Sequence, residues 1–461
     1  MKTISKLKLY ITVALLFIAL FSCDSFIEVG LPKSQLTTAA VFEDYNTAES
    51  ALLNIYSSIR ERGILTGTSQ GISNALGNYT DELASSESPT NSSLNFYKNA
   101  LLPTNTVVSG LWSASYNQIY AANAIIEGTE KSVNLTLAEK KQLQGECYFI
   151  RALLHFYLSE LFGNIPYITE TDFQKNSTVS RSSTLVINEK IQSDLQKALL
   201  MISSEYLQQE RIRPNIGTVQ ALLARVYLYN KSYAEASNAA SSILNQNQLY
   251  NLETLNSTFL IASKETIWQL QSGTAGRNTY EASYFTFTTI PPPQVSLAST
   301  LVNSFESGDL RSISWIKAVS KNGTVFYHAY KYKENNATTT SKEYPIIFRL
   351  AEQYLIRAEA RAYQGDLIGA KEDLNKVRSR AGLANTSAIS QQEIINAVIQ
   401  ERRHELFTEQ GHRFFDLKRT HNLDIVLSPV KPGWNTTDIL LPIPQSELAS
   451  NKNLSPQNPG Y

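Results

Sequence analysis

The sequence predicts a mainly α-helical protein whose helices form a scaffold interrupted by two loop-rich insertions. Apolar residues recur every three or four positions near both ends of the chain, which is the period of an amphipathic helix. Two internal segments break this pattern, at about residues 67–106 and 251–344. The first is rich in Ser, Asn, Thr and Gly. The second carries β-branched and aromatic residues, which favour short strands between irregular loops.

The extreme N-terminus is typical of an export signal. Several lysines precede an apolar run over residues 9–21. A charged head followed by an apolar centre is the order found in signal peptides. The run is shorter than the roughly 20 apolar residues that a membrane-spanning helix requires.

The residues after this run, Leu-Phe-Ser-Cys, resemble the cleavage site of bacterial lipoproteins. This resemblance implies that residues 1–22 are a signal peptide and that Cys23 is lipidated and becomes the new N-terminus. Residues 23–461 would then form a single domain. Cys147 is the only other cysteine, so lipidation of Cys23 leaves no pair for an internal disulfide. Cys147 falls in an apolar helical stripe, which predicts a buried residue and not a nucleophile.

Helical periodicity defines nine segments that build the scaffold, at about residues 37–66, 108–245 and 349–420. The first segment starts at threonine caps and ends at Gly63. In chain order the nine predicted helices are Thr37–Gly63, Val108–Glu130, Leu135–Phe162, Thr184–Tyr206, Ile216–Asn230, Tyr233–Leu244, Arg349–Gln364, Leu367–Arg380 and Gln391–Glu409.

Two of the helical hairpins resemble the tetratricopeptide repeat, in which antiparallel helix pairs stack on one another. Ala224 and Ala236 flank one turn, and Ala358 and Ala370 flank another at the same spacing. Small residues at this interval let the two helices touch. Because the two copies lie far apart in the chain, we do not expect a plain tandem array.

The charge balance argues against a polyanionic partner. Lys plus Arg and Asp plus Glu both number 41. No excess of positive charge is available to attract a phosphate backbone, so nucleic acid is not expected as a partner.

The segment ERRHELFTEQGHRFFDLKRT, residues 401–420, has the composition of an active site but not its spacing. It begins like the zinc-peptidase motif H-E-x-x-H, yet Thr408 occupies the position of the second histidine and His412 follows only after Gly411. We therefore expect no metal, no cofactor and no catalytic residue here. The charges are predicted to form ion pairs that hold the last helices in place, and Gly411 is predicted to end or bend the helix.

This segment also resembles the C-terminal region of the SusD/RagB family, surface lipoproteins of Bacteroidetes-type bacteria that capture nutrients for an outer-membrane transporter. The resemblance continues over essentially the whole chain. The other matching segments are FEDYNTAESALLNIYSSI, LWSASYNQIYAANAII, FRLAEQYLIRAEARAYQGD, LNKVRSRAGL and LLPIPQSELASNKNLSPQNPGY.

The resemblance implies a SusD-like fold and a non-catalytic protein anchored by lipid to the outer membrane and facing the cell exterior. Its helical side would pack on a SusC-like TonB-dependent transporter, and it would trap oligosaccharides as a hinged lid. Two alternatives stay open. The cargo is a peptide in one of them. In the other the protein is a surface glycoside hydrolase that uses Asp81 and Glu82.

Candidate ligand-binding residues lie in the two insertions, because loops on a rigid scaffold commonly carry binding sites. Sugars present apolar faces and a hydroxyl rim, which suit aromatic rings beside amides, carboxylates or arginines. The residues of this kind are Tyr79, Asp81, Asn95, Phe96 and Tyr97 in the first insertion, and Arg277, Asn278, Tyr280, Tyr284 and Phe285 in the second.

The tryptophans divide into two groups. Trp112 lies at helical spacing with Tyr116, which predicts a core residue. Trp315 and Trp434 lie in less regular sequence, and we consider both as candidates for exposed positions.

Overall fold

The helices follow the predicted order. The computed structural model describes residues 38–461, so the signal segment and Cys23 lie outside the described residues. The α-helices are α1 Thr38–Val41, α2 Tyr45–Glu61, α3 Ile72–Tyr79, α4 Leu94–Tyr97, α5 Thr106–Lys131, α6 Leu137–Phe162, α7 Phe173–Asn176, α8 Thr184–Met201, α9 Ile216–Tyr229, α10 Tyr233–Leu244, α11 Tyr280–Phe285, α12 Ser299–Val302, α13 Arg311–Ser314, α14 Leu350–Tyr363, α15 Leu367–Arg380, α16 Gln391–Leu406, α17 His412–Arg419, α18 Leu423–Leu427 and α19 Gln445–Ser450. Short 3₁₀ helices cover Thr436–Ile439 and Lys452–Leu454. Within residues 38–461, no helix combines the length and the apolar character needed to cross a bilayer.

The predicted first helix is divided in two. Asp44 has extended backbone, and its carboxylate accepts hydrogen bonds from the backbone N–H groups of Asn46 at 2.9 Å and Thr47 at 3.4 Å. This N-cap starts α2 at Tyr45. The threonine start that the sequence suggested is therefore wrong for the long helix.

The end of α8 is also earlier than predicted. The helix stops at Met201 because Ile202 takes up extended backbone. Tyr206, the predicted last residue, instead places its hydroxyl 2.6 Å from that of Tyr250.

Helix α16 ends at Leu406 and not at Glu409, and α17 begins directly after Gly411. Gly411 has φ +71°, and a Cβ there would lie 2.4 Å from Leu76 Cδ1. Only glycine fits this left-handed and crowded position. A helix break near Gly411 is confirmed, but α16 already ends at Leu406, and Gly411 instead lies immediately before α17.

The two hairpins that resemble tetratricopeptide repeats are neighbours in space. Helix α9 packs on α10, α14 packs on α15, and α10 lies against α14. The rings of Tyr233 and Tyr363 stack with centroids 4.2 Å apart across this junction. The four alanines at the hairpin contacts have no exposed surface, which confirms their predicted packing role.

Between residues 38 and 461, the strands form three separate antiparallel ribbons. They are β1 Leu83–Ser85, β2 Thr266–Gln269, β3 Val295–Leu297, β4 Ile316–Lys321, β5 Thr324–Ala329 and β6 Ile346–Arg349, paired as β1–β3, β2–β6 and β4–β5. The β1–β3 ribbon joins the first insertion to the second, with Leu83 opposite Leu297 and Ser85 opposite Val295. The first insertion is less irregular than predicted, because it contains α3, in which every residue is buried.

The predictions for Trp112 and Cys147 are confirmed, since Trp112 is 2% exposed and Cys147 is fully buried. The suggestion that Trp315 and Trp434 are exposed is wrong. Trp315 has no exposed surface, and its indole N–H donates to the Leu255 carbonyl at 2.8 Å. Trp434 is 8% exposed, and its N–H donates to Asp424 at 2.8 Å. A buried indole is tolerated where its N–H finds such a partner.

Glu405, on α16, lies at the centre of a buried ion-pair network. Arg349 approaches it at 2.5 Å and Arg311 at 2.9 Å, and Arg380 also pairs with it. Burial opposes ionisation of Glu405, but the three arginines hold the pKa of its carboxyl well below the usual range. The carboxylate therefore stays charged inside the protein.

Three further arginines fix the chain around Gly411. Arg402 pairs with Asp416 at 2.7 Å, and Arg403 and Arg413 both pair with Asp81 of the first insertion, at 2.7 and 2.8 Å. The predicted structural role of the charged segment is thus confirmed by its contacts.

We expect Arg349→Met to lower the free energy of unfolding by about 3–5 kcal/mol, because it removes one cationic partner from each of the buried carboxylates Glu265, Glu405 and Glu409. Urea denaturation at neutral pH measures this change. Lys376→Met, at an exposed position of α15, is the matched control and is expected to change the value by less than about 0.5 kcal/mol. Similar losses in the two variants would contradict the structural role of Arg349.

The buried carboxyl of Glu82 is expected to make the stability of the protein depend on pH. Burial and the neighbouring Asp81 carboxylate raise the pKa of Glu82 to about 7, against the opposing charges of Arg413, Lys331 and Arg403. The folded protein therefore binds this proton more tightly than the unfolded chain does. The associated stability is present below pH 4.5 and is lost as the pH rises through about 7.

We expect Glu82→Gln to remove about 2 kcal/mol of the fall in unfolding free energy between pH 5 and pH 8. Chemical denaturation across this range measures the effect. The control is Glu372→Gln, which lies at an exposed position. If the two variants have parallel pH profiles, Glu82 does not titrate in this window.

Candidate ligand-binding site

The β1–β3 ribbon separates two surface depressions. At the Ser85–Val295 end lies a depression that we call the Tyr280 trough, and at the Leu83–Leu297 end lies a second that we call the Lys431 cavity. The trough consists of two adjoining hollows of about 440 and 450 Å³ that share Tyr280 and Ser283. The other residues of its first hollow are Thr68, Ser69, Glu87, Asn91, Tyr284 and Gln294. The other residues of its second hollow are Thr274, Ala275, Arg277, Asn278, Thr279, Glu334, Asn335, Asn336 and Ala337.

Tyr280 lies at the junction of the two hollows, in the first turn of α11. Thr279 caps this helix, because its hydroxyl accepts a hydrogen bond from the Ala282 N–H at 3.0 Å. The Arg277 guanidinium lies 4.5 Å from the centroid of the half-buried Tyr280 ring. The Tyr280 hydroxyl donates to Glu61 of α2. The ring thus has Arg277 over one face and Glu61 at its hydroxyl, and it remains partly open to solvent.

The Glu87 carboxylate is oriented within the first hollow. It accepts a hydrogen bond from the Tyr284 hydroxyl at 3.0 Å and another from the Asn91 amide at 2.7 Å. Tyr284 is only 8% exposed, and burial together with Glu87 raises the pKa of its phenol. Tyr284 therefore supports Glu87 more than it offers a ring face to a ligand.

Asn278 shapes the wall of the second hollow. Its amide oxygen accepts from the backbone N–H groups of Lys342 at 2.8 Å and Glu343 at 3.2 Å, and its NH₂ group donates to Asn336 O and Thr338 Oγ1. These four bonds hold the loop over residues 334–343. The clamp leaves Asn335 and Asn336 exposed on the rim.

The trough is thus lined by hydroxyl groups, amides and an oriented carboxylate around one accessible ring. This combination suits a ligand with many hydroxyl groups, which can both donate and accept hydrogen bonds. Ser283, exposed between the hollows, adds a hydroxyl at the centre.

Of the ten residues suggested from sequence, four line the trough: Arg277, Asn278, Tyr280 and Tyr284. Tyr79, Phe96 and Phe285 are 0%, 0% and 5% exposed, so their rings pack in the core and we place none of them in the site. Tyr79, for example, contacts the rings of Phe96, Phe414 and Trp434. Asn95 is partly exposed but lines neither depression.

Asp81 and Tyr97 line the Lys431 cavity instead. The Asp81 carboxylate accepts from Arg403 at 2.7 Å and from Arg413 at 2.8 and 3.0 Å. Burial opposes its ionisation, but the Arg413 and Arg403 contacts lower the pKa of Asp81 below its ordinary value. The adjacent Glu82 is 2% exposed and faces neither depression.

Several residues that line the trough were not among those predicted from the sequence. Glu87 and Asn91 lie in the first insertion, but only the pairing of β1 with β3 places them beside Gln294 and Tyr284. Asn335 and Asn336 occupy a polar loop whose position depends on the Asn278 clamp. A local signal existed only for Glu87 and Asn91, which flank a Ser-Pro turn.

No group of three or more His, Cys, Asp or Glu side chains within residues 38–461 is arranged to hold a metal ion. His404 stacks on Phe305 with centroids 4.5 Å apart, and burial with the charges of Arg311 and Arg403 lowers its pKa to about 3. His404 is therefore a neutral packing residue.

Two parts of the chain match models of known protein families. Residues 37–228 match a SusD-like family model described as starch-binding and associating with the outer membrane. Residues 313–461 match the SusD family model. The two matches leave out residues 229–312, which include Tyr280 and most of the second hollow.

Individual relatives cover most of the chain. The SusD-like protein P2 of Formosa agariphila is 27% identical over 423 residues, covering 77% of this chain and 81% of that protein. A SusD superfamily structure from Bacteroides vulgatus superposes with a TM-score of 0.79 at 21% identity, covering 91% of this chain and 99% of the other. A laminarin-binding SusD-like protein superposes with a TM-score of 0.75 at 24% identity, covering 90% and 99%. The order of the helices, the two family matches and these relatives agree, and the chain belongs to the SusD/RagB family.

Proposed function

We propose that this protein is a non-catalytic, surface-exposed lipoprotein that captures oligosaccharides in the Tyr280 trough. The observation that carries the proposal is the trough itself, where residues of both insertions bring hydroxyls, amides and an oriented carboxylate around a partly open tyrosine ring. The family model for the N-terminal part is described as starch-binding, and one structural relative binds laminarin. Both facts support a carbohydrate cargo.

The proposal includes delivery to a partner. A SusC-like TonB-dependent transporter in the outer membrane would receive the glycan, and this protein would close over it as a lid from the cell exterior. Membership of the SusD/RagB family supports this partnership. The lipoprotein-like sequence at Cys23 supports attachment by lipid to the same membrane.

The contacts of Asp81 and Glu82 favour binding over hydrolysis. A glycosidase places two carboxyl groups on either side of the scissile bond, about 5–9.5 Å apart, with access for substrate. Here the Asp81 oxygens accept hydrogen bonds from Arg403 and Arg413, and Glu82 is buried beneath the ribbon. The Asp81 carboxylate holds the first insertion against α16 and α17.

A peptide is the second candidate cargo. Among the described residues, two aromatic rings line the trough, those of Tyr280 and Tyr284, and Tyr284 is 8% exposed. A site with few open rings relies on hydrogen bonding, which a peptide backbone also satisfies. A parallel screen of glycans and peptides separates the two cargoes.

We expect Tyr280→Ala to weaken binding of the glycan found in such a screen by about tenfold, because the ring supplies the main apolar surface of the trough. Tyr280→Phe should keep most of the affinity, since it retains the ring and loses only the hydroxyl bond to Glu61. Calorimetric titration measures the affinities, and chromatography of the recovered glycan should show no cleavage.

Tyr120→Ala is the matched control, because Tyr120 is 51% exposed on α5 and lines neither depression. Equal glycan affinity in the Tyr280→Ala and Tyr120→Ala variants would show that the glycan binds outside the Tyr280 trough. Glycan products that increase with protein concentration would show that the protein is a hydrolase.

We expect Cys23→Ala to release the protein from the outer-membrane fraction, because acyl chains contribute about 0.8 kcal/mol per buried methylene group. Fractionation followed by immunoblotting measures this change. Cys147→Ala is the control and should stay with the membrane, since Cys147 is buried in α6. Retention of the Cys23→Ala variant in the membrane would rule out lipid at Cys23 as the anchor.

A further inference from the structure

The Lys431 cavity is a second, differently built depression on the opposite end of the β1–β3 ribbon. Its volume of about 510 Å³ lies within the range of roughly 300–1,000 Å³ that is usual for ligand pockets. Tyr97 and Lys98 form one wall, and the segment Val430–Gly433 forms another. A Cβ on Gly433 would lie 2.0 Å from the Lys98 carbonyl oxygen, so the two walls are in direct backbone contact.

Lys431 presents a buried charge to this cavity. Its residue is 6% exposed, and its ammonium lies 4.2 Å from the centroid of the Tyr97 ring. The ammonium donates one hydrogen bond, to the Asn78 carbonyl at 2.6 Å. Lysine carries three N–H donors. Within residues 38–461 no carboxylate forms an ion pair with this ammonium, so two donors remain for a ligand.

The surrounding charges leave the cavity positive. Asp81 is the carboxylate on its wall, but it is already paired with both Arg403 and Arg413. Lys98 adds a further exposed ammonium beside Tyr97. Burial lowers the pKa of Lys431 to about 8, and the Asp81 carboxylate acts in the opposite direction. An anion that pairs with Lys431 would relieve this unfavourable burial of charge.

The rest of the lining suits a sugar ring. Leu83, Ala84, Ala298 and Val430 supply apolar surface, Tyr97 supplies an aromatic ring, and Ser299 carries an exposed hydroxyl. Apolar patches with a few convergent polar groups are typical of small-molecule sites. A simple inorganic anion would leave the apolar part of this lining unused.

We propose that the Lys431 cavity binds an acidic saccharide residue, with Lys431 and Lys98 facing a carboxylate or sulfate group and Tyr97 beside the sugar ring. This inference rests on the proposed function, because it takes the cargo to be a glycan. It deepens that function by naming acidic sugars as a substrate class. Uronates and sulfated sugars share the required chemistry.

The test compares three ligands by calorimetric titration into the purified full-length protein: digalacturonate, galactose 6-sulfate and neutral galactobiose. We expect Lys431→Met to weaken binding of whichever acid the wild-type protein prefers by at least about tenfold, because the variant loses charge-assisted hydrogen bonds. Lys376→Met, on the exposed side of α15, should leave all affinities unchanged.

Lys98→Met is a second variant that tests the same cavity if the Lys431→Met protein does not fold. Lys98 is exposed, so its loss should leave the melting temperature unchanged while weakening acid binding several-fold. In the wild-type protein, acid binding should also weaken between roughly 50 and 500 mM NaCl, since salt screens charge pairs. Binding of a neutral glycan should not respond to either change.

The outcomes separate this inference from the proposed function. No binding of either acid by the wild-type protein, or equal acid affinity in the wild-type protein and the Lys98→Met variant, overturns the acidic-sugar site. If a neutral glycan still binds in a Tyr280-dependent manner, the proposed function stands without that site. If no glycan of any kind binds, both proposals fail.

Discussion

The structure depends on how the charge of Glu405 is kept inside the protein. Burial of a carboxylate in a medium of low polarity costs several kcal/mol unless partners compensate for the lost water. Arg349 at the end of β6, Arg311 on α13 and Arg380 on α15 supply that compensation from three directions. Because a guanidinium presents its N–H groups in a rigid plane, these pairs also fix the orientation of the elements that carry them. The corner formed by α16 and α17 is thereby locked to the scaffold.

The same corner positions both insertions. Asp81 attaches the first insertion to Arg403 and Arg413, and Lys331 attaches the second to Glu409. The β1–β3 ribbon then joins the two insertions to each other. The two depressions lie at the ends of this ribbon, so their relative placement follows from these ion pairs. This explains why a segment with the composition of an active site serves a binding protein as a structural anchor.

The scaffold could be predicted from sequence because burying one face of a helix imposes a period that each segment carries locally. Helices α10 and α15 begin and end at the predicted residues, and Trp112 and Cys147 lie in the core as expected. The burial of Tyr79, Trp315 and Trp434 was not predicted. Their neighbours in sequence are mostly polar, and the residues that bury them are distant in the chain. Trp434, for instance, covers Tyr79. The sequence predicted only some of the residues that line the trough. Glu87 and Gln294 lie more than two hundred positions apart in the chain and are brought together by strand pairing, which no local sequence pattern encodes.

The electrostatics of the two depressions imply different preferences for a glycan. In the first hollow of the trough, Glu87 is part of the lining and no ion pair among residues 38–461 neutralises it, which disfavours acidic sugars there. The Lys431 cavity has the opposite sign. If the trough and the Lys431 cavity both bind glycan as we propose, a glycan that carries neutral and acidic residues would bind in one orientation, with its acidic part at Lys431.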